Sequence, residues 1–381
     1  VPKFKFAPED LRRCFAIAKI VKPQTNDLCL RFASNRLILF SADKRRFVRA
    51  ETFADPLDKI PDGYISDDFY ITVDRTALFD SDLDSVTINV NDKSLSIHTH
   101  NSEQIRQATL KKRSTSSRRP PIPPRPVAGD SLSVSVSDFD LLLKQVSCSA
   151  MVRETKTEED MRINQVHFYK DQGCAISNAR YYGSIAFLPT FRSDISLVSN
   201  DVPIVKGFLA KCGSDSVSIF QDSARLYLED PRTGSVLALS KVNGNRPPLS
   251  VTDRSKFRTL VVADQEKLAQ SLEWALLALE GTQRVSVRTT RSTVDGKEGN
   301  LELQAGNQEL SKIPISIIEG DGIQGDFPAR FLASIIRYIG GGEVAIRYGH
   351  PDAPTILELS QHPDRDPVRA YHYLQGMKER K

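Results

Sequence analysis

The stretch SLSVSVSDFDLLLKQVSCSA, residues 131–150, decides how the rest of the chain reads. Its first seven residues alternate with period two, the mark of a half-buried strand. SDFDLLLKQVSCSA then reads as a helix, with Ser137 or Asp138 as its N-cap. MRINQVHFYKDQGCAISNA, residues 161–179, comes next as strand, turn and strand, turning near Asp171-Gln172-Gly173. The unit is therefore one strand, one helix and one hairpin.

The same unit recurs outward in both directions, and a repeat of this kind governs the reading of the whole chain. Downstream, a second copy starts near Ser196: DVPIVKGFLAKC is its helix, ended by Cys212-Gly213, and DSVSIFQDSARLYLED its hairpin. FRTLVVA, DQEKLAQSLEWALLALEG and RVSVRTTRSTVDGKEGNLELQA repeat the order of strand, helix and hairpin. FPARFLASIIRYIGGG, with Pro328 in its first turn, and EVAIRYGHPDAPTILEL do so again. Upstream, KFKF leads into PEDLRRCFAIAKIVK, a helix stopped by Pro23, and the hairpin NDLCLRFASNRLILFSA. DFYITV, the short helix DRTALFDSDL and DSVTINVNDKSLSIHT make a further copy. Two copies fall in each third. The expected architecture is α+β, with three similar domains at 1–127, 128–250 and 251–381. Proline-rich connectors mark both boundaries: PPIPPRP at 120–126, inside a basic stretch at 106–126, and Arg246-Pro247-Pro248.

Composition sets the class. The chain has 381 residues, 40% hydrophobic and 26% charged, as in an ordinary globular protein of two or three domains. No apolar run is long enough to span a bilayer, and Val1–Phe6 has no signal-peptide character, so no membrane partner is expected. Cys14, Cys29, Cys148, Cys174 and Cys212 are odd in number, widely spaced and without a CxxC pair. Free thiols in a reducing, cytoplasmic compartment are expected. The net charge of +4 permits contact with nucleic acid.

Several segments resemble, in the right order, the bacterial-type DNA sliding clamp, the beta subunit family of DNA polymerase III. INQVHFY followed by AISNARYYG is similar to the strand that leads into that family's ATDGHRL stretch, with Arg180 at its arginine and Tyr181 at its leucine. LELQAGNQE resembles its ANNPE-type segment, and AYHYLQGMK its closing AYVVMPMRL. There are departures: Ser177-Asn178 replaces an Asp-Gly, Leu374-Gln375-Gly376 replaces Met-Pro-Met, and the chain is basic where the family is usually acidic. A divergent clamp, cellular or phage-encoded, would carry such differences. It would sit in the bacterial nucleoid or the host cytoplasm.

The resemblance implies a replication processivity factor that encircles double-stranded DNA. Helices would line the inside of a ring, with sheets outside. It implies a homodimer, a DNA polymerase and a clamp loader as partners, and no cofactor. The inner surface needs cations at phosphate distance and no base-edge donors. The candidates are Arg12, Arg13, Lys19 and Lys22; Lys144; Lys206 and Lys211; Lys267; and Arg330 and Arg337. A solvated helix face would show any one of them, but they recur in five of the six expected helices. The helix with Asp74, Asp80 and Asp82 lacks them. The resemblance also places a partner-peptide groove at Ile176, Arg180, Tyr181, Pro247, His372 and Leu374.

No enzyme is expected. There is no GxxxxGK[ST], HExxH or GxSxG, and Gly340-Gly341-Gly342 reads as a helix stop. His98 and His100 lack a third ligand, and Glu158-Glu159-Asp160 reads as a charged loop. Two other classes stay open on the sequence alone. One is a clamp-like transcription accessory factor that contacts RNA polymerase. The other is a metal-dependent nucleic-acid-processing enzyme.

Overall fold

The computed structural model describes residues 2–24, 26–79, 83–101, 105–111, 131–147, 165–178, 182–241, 254–279, 284–292, 297–305, 308–339, 342–350, 353–361 and 369–375. Within them run five α-helices: α1 (Pro8–Ala18), α2 (Val136–Ser147), α3 (Val202–Leu209), α4 (Gln265–Ala278) and α5 (Ala329–Ile339). The short helix expected over DRTALFDSDL is instead a 3-10 turn, Val73–Phe79. The Thr76 hydroxyl donates to the Val73 carbonyl at 2.6 Å, which tightens the turn, and Phe79 stacks on Phe15 at 4.5 Å. α1 also stops sooner than Pro23 requires: after Ala18 the Ile20 amide bonds back to Ile17.

Each helix follows a strand: Lys3–Phe6, Leu132–Ser135, Ser196–Val198, Thr259–Asp264 and Gln324–Pro328. Pro328, expected in the first turn of the last helix, ends the strand before it, and Ser137 and Asp138, expected as N-cap, lie inside α2. Phe69–Thr72 precedes the 3-10 turn. Each helix, and the turn likewise, leads into a meander of three strands where the sequence predicts two. The additional strands are Arg46–Phe53, Ile105–Lys111, Tyr182–Phe187, Val236–Ser240, Gln308–Glu319 and Arg369–Gln375. Residues 106–111 of the basic stretch, expected as loop or linker, thus belong to a strand.

The chain divides into two compact units, residues 1–137 with 203–241, and 138–202 with 242–381. The first unit carries a five-stranded and an eight-stranded sheet, and the second a twelve-stranded sheet. The third strands of the meanders do the joining. In the first unit Arg46–Phe53 pairs antiparallel with Val236–Ser240, Leu237 opposite Val48. In the second, Tyr182–Phe187 pairs with Arg369–Gln375, Ser184 opposite His372.

Burial follows the strand period. In Asp27–Ala33 and Arg36–Ala42, Leu28, Leu30, Phe32, Leu37 and Leu39 lie on one face. Cys29, Ile38 and Phe40 lie on the other, in a second cluster with Phe47, Tyr227, Val236 and Ala238 that straddles the junction. In the second unit Cys174, Ile176 and Ile185, flanked by Phe187, Tyr371 and Tyr373, form the corresponding outer cluster. The large core of that unit holds α4 and α5 against the sheet through Leu268, Leu272, Leu332, Ile335 and Ile336.

Three hairpin turns share one device. Asp43 Oδ1 accepts from the amides of Arg45 and Arg46, Asn91 Oδ1 from Lys93 and Ser94, and Asp222 Oδ1 from Ala224 and Arg225. The side chain takes the place of a backbone acceptor, which is why Asp and Asn open such turns.

Candidate nucleic-acid interface

The helices carry their cations on the faces that their core stripes leave free. α1 starts with Pro8, and Glu9 and Asp10 lie in its first turn, where acids complement the helix dipole. Leu11, Cys14, Phe15, Ile17 and Ala18 are buried, so Arg12, Arg13 and Lys19 come to the other side, half-buried. Lys22 is exposed just beyond the helix. Arg13 is already engaged: it pairs with Asp10 at 3.1 Å, and its guanidinium lies over Gly213, whose absent Cβ would meet it at 2.8 Å. α3 packs beside the end of α1. A Cβ on Gly207 would sit in ordinary contact with the Ile20 side chain, at 3.8 Å. Lys206 and Lys211 are half-buried there.

In the second unit, Lys144 is exposed on α2 and Lys267 on α4. The Asp264 carboxylate caps α4 by accepting the Lys267 amide at 2.9 Å. α5 buries Leu332, Ala333, Ile335, Ile336 and Ile339, and this leaves Arg330 and Arg337, seven residues apart, exposed on one face. α4 and α5 are tied by the buried Gln265 amide, which donates to the Ile336 carbonyl at 2.7 Å. Such a set of point charges on rigid helices suits phosphate contact without reading of bases.

The residues expected at a peptide groove behave differently. Arg180, Tyr181 and Pro247 lie outside the described residues. Ile176 is buried in the outer cluster of the second unit. Leu374 belongs to the main core of that unit, with no exposed surface. His372 is fully buried, its Nδ1 2.6 Å from the Ser184 hydroxyl and its Nε2 3.3 Å from Gln145 Oε1. Burial pulls the imidazole down to about 4, so the ring is neutral at physiological pH. In a neutral ring one nitrogen donates and the other accepts, so Ser184 and Gln145 take complementary roles toward it.

Sequence reasoning missed the apolar side chains that the fold leaves in solvent. Trp274 and Leu277, three residues apart on α4, are 71% and 77% exposed, and Ile105 is 72% exposed at the start of an edge strand. The available signal was spacing: Trp274 and Leu277 fall off the stripe of Leu268, Leu272 and Ala275.

Cys14, Cys29, Cys174 and Cys212 are free thiols, and Cys148 lies outside the described residues. Burial pushes Cys174 up to about 11, and burial with the nearby Asp230 pushes Cys212 up to about 12. No three-residue metal cluster of His, Cys, Asp or Glu occurs among the described residues. His98 Nε2 lies 3.3 Å from Asn89 Nδ2, and Glu158-Glu159-Asp160 falls outside the described residues. None of the described helices is long and apolar enough to cross a membrane.

No protein-family description and no curated protein matches the sequence. Solved structures do match. The DNA polymerase III beta subunit of Thermotoga maritima superimposes with a TM-score of 0.75 at 14% identity, over 99% of this chain and 100% of its own. A DNA polymerase sliding clamp of Pseudomonas aeruginosa gives 0.72 at 14% identity, over 99% of this chain and 100% of its own. A putative beta subunit from Eubacterium rectale gives 0.74 at 13% identity, with the same coverage. At such identities the likeness speaks to the fold, and the fold of this chain is that of the DNA polymerase III beta subunit.

Proposed function

We propose that this chain is a DNA sliding clamp, a replication processivity factor that encircles duplex DNA and tethers a DNA polymerase. The observation that carries the reading is end-to-end agreement with beta-subunit structures over 99% of the chain. The exposed Lys22, Lys144, Lys267, Arg330 and Arg337 supply phosphate contacts that hold DNA without gripping a sequence. Three domains divide near residues 127 and 250. The clamp catalyses nothing: a loader supplies the energy of opening and its partners do the chemistry.

A second copy of the chain completes the ring. Four of the six third strands pair with one another at the two junctions. The two left over are Ile105–Lys111, which ends the five-stranded sheet, and Gln308–Glu319. Residues 308–314 of the latter pair only with Glu298–Ala305 among the described residues. Pairing these two strands between copies repeats the joint the chain already uses twice and covers an open sheet edge. α4 packs over Gln308–Glu319 and brings Trp274 and Leu277 to the same joint. The partner-peptide groove is placed at Ile176, Arg180, Tyr181 and Pro247; His372 and Leu374, expected there too, are buried on the opposite face of the sheet from Ile176 and take no part in lining it. The protein works where DNA is replicated, in a cytoplasm.

Negative-stain electron microscopy of the purified protein tests the reading. Rings with six similar lobes around an open hole are expected. Particles without a hole at every protein concentration would overturn it.

A further inference from the structure

The helices are not the only place where the fold gathers positive charge. At one end of the eight-stranded sheet, segments far apart in sequence are stitched together by hydrogen bonds. The Gln24 amide donates to the Ala42 carbonyl at 3.3 Å, and the Ser41 hydroxyl to the Val21 carbonyl at 2.6 Å. The Ser240 amide donates to the Arg45 carbonyl, and the Lys241 amide to the Ala224 carbonyl, both at 2.8 Å. These bonds bring Lys22, Lys44, Arg45, Arg225 and Lys241 to one corner.

The acids at this corner are committed elsewhere. Asp43 Oδ1 accepts two amides of its own turn at 2.7 Å each, and Oδ2 faces Arg46 at 3.4 Å. Asp222 Oδ1 accepts two amides, and Oδ2 accepts the Tyr227 hydroxyl at 2.7 Å. Lys241 Nζ spends one donor on the Asp222 carbonyl, at 2.8 Å. Lys22, Lys44 and Arg45 have no carboxylate partner among the described residues, and all three are exposed. Unpaired cations held close together repel one another, and a fold that keeps them so has a ready place for an anion with spaced charges.

We infer that this corner, with Lys44 and Arg45 at its centre, is a second contact for DNA phosphates, joined to the helix set only through Lys22. Two features favour a phosphodiester backbone. The cations sit on turns fixed by side-chain caps and sheet bonds, so they present a row of charge rather than a pocket for one small anion. The corner also continues the cations of α1, since Lys22 follows that helix directly. DNA held by α1 meets the corner without a break. The inference rests on the clamp reading for its ligand but uses none of the residues on α2, α4 or α5.

The test is fluorescence anisotropy of a short fluorescein-labelled duplex with the full chain, as a function of salt. Three proteins are compared: wild type, K44E/R45E and R330E/R337E. Thermal melting of each serves as the folding control, and K44R/R45K as the charge-preserving one. The expected result is a roughly tenfold weaker binding for K44E/R45E, with K44R/R45K unchanged. The log–log salt slope should fall by about 0.9 for each phosphate no longer neutralised. Unchanged binding in K44E/R45E, alongside weakened binding in R330E/R337E, overturns the corner and leaves the clamp reading intact. Failure of wild type to bind the duplex at low salt overturns both. An equal loss of binding to a poly-glutamate peptide assigns the corner to an acidic protein and overturns the inference.

Discussion

Arg337 on α5 closes onto Glu273 on α4, its Nη2 2.7 Å and its Nε 3.1 Å from the same carboxylate oxygen. Both side chains are exposed, so the pair contributes little stability, below about 1 kcal/mol. Its greater effect is on charge, because Glu273 occupies a cation proposed to face DNA. Glu273→Gln should therefore leave the unfolding free energy from urea denaturation within about 0.5 kcal/mol of wild type and strengthen duplex binding severalfold at low salt. Weaker binding in the variant would show that the pair positions Arg337 for its contact.

Glu51 makes the opposite case. Its carboxylate is buried, held by Arg36 at 2.9 Å and by Arg49, while its amide donates to the Ser235 hydroxyl at 3.0 Å across the joint between strands. Removing the acid leaves two guanidinium groups crowded over a buried site. Breaking a buried pair costs roughly 3–5 kcal/mol, and the partial exposure of both arginines lowers this to about 2–3 kcal/mol. Glu51→Ala should lose that much in urea unfolding, and a loss below about 1 kcal/mol would place the pair among surface bridges.

The neutral His372 gives stability a defined pH dependence. Its folded value, about 4, lies below the ordinary 6.5, so the unfolded chain takes up the proton first. Stability is full above about pH 6.5, falls as pH drops towards 4 and then levels, a total of about 3 kcal/mol. His372→Gln keeps groups able to meet Ser184 and Gln145 but does not titrate. The difference in unfolding free energy between the two proteins should change over that window and be flat outside it. A constant difference from pH 7 to pH 4 would mean that the ring is accessible to protons in the folded state.

Trp274 and Leu277 test the self-association joint. An exposed aromatic that becomes buried on assembly is worth about 2–4 kcal/mol. Trp274→Ala with Leu277→Glu should shift the monomer–dimer constant by two to three decades in sedimentation equilibrium, with the melting profile of the monomer retained. A dimer of unchanged affinity would move the interface elsewhere.

The five helices were legible from the apolar spacing of their local sequence, and α4 also from the Asp264 cap; the strand at Gln324–Pro328 was not, because its end reads as a helix start. The third strands were not. VLALS at 236–240 is a short apolar run of no clear period, and IRQATLK at 105–111 is polar enough to pass for linker. Each becomes a strand through its neighbours in the sheet, a choice made by tertiary pairing. The helix cations were readable from their spacing. The depth of His372 and Leu374 was not, since both depend on what the second unit packs over them. The corner at Lys44 and Arg45 was equally hidden, because Lys241 reaches it only through a sheet that joins distant segments.

The joint between Glu51 and Ser235 spans 184 residues of sequence. On a ribosome adding about 5–20 residues per second, Arg46–Phe53 waits roughly ten to forty seconds for Val236–Ser240 to emerge. During that interval one side of the strand and the aromatic cluster beside it have no native cover. Arg46 and Arg49 stand on this waiting strand, where charge discourages a neighbouring nascent chain from docking first. The arginines that later flank the finished joint thus guard it before it exists.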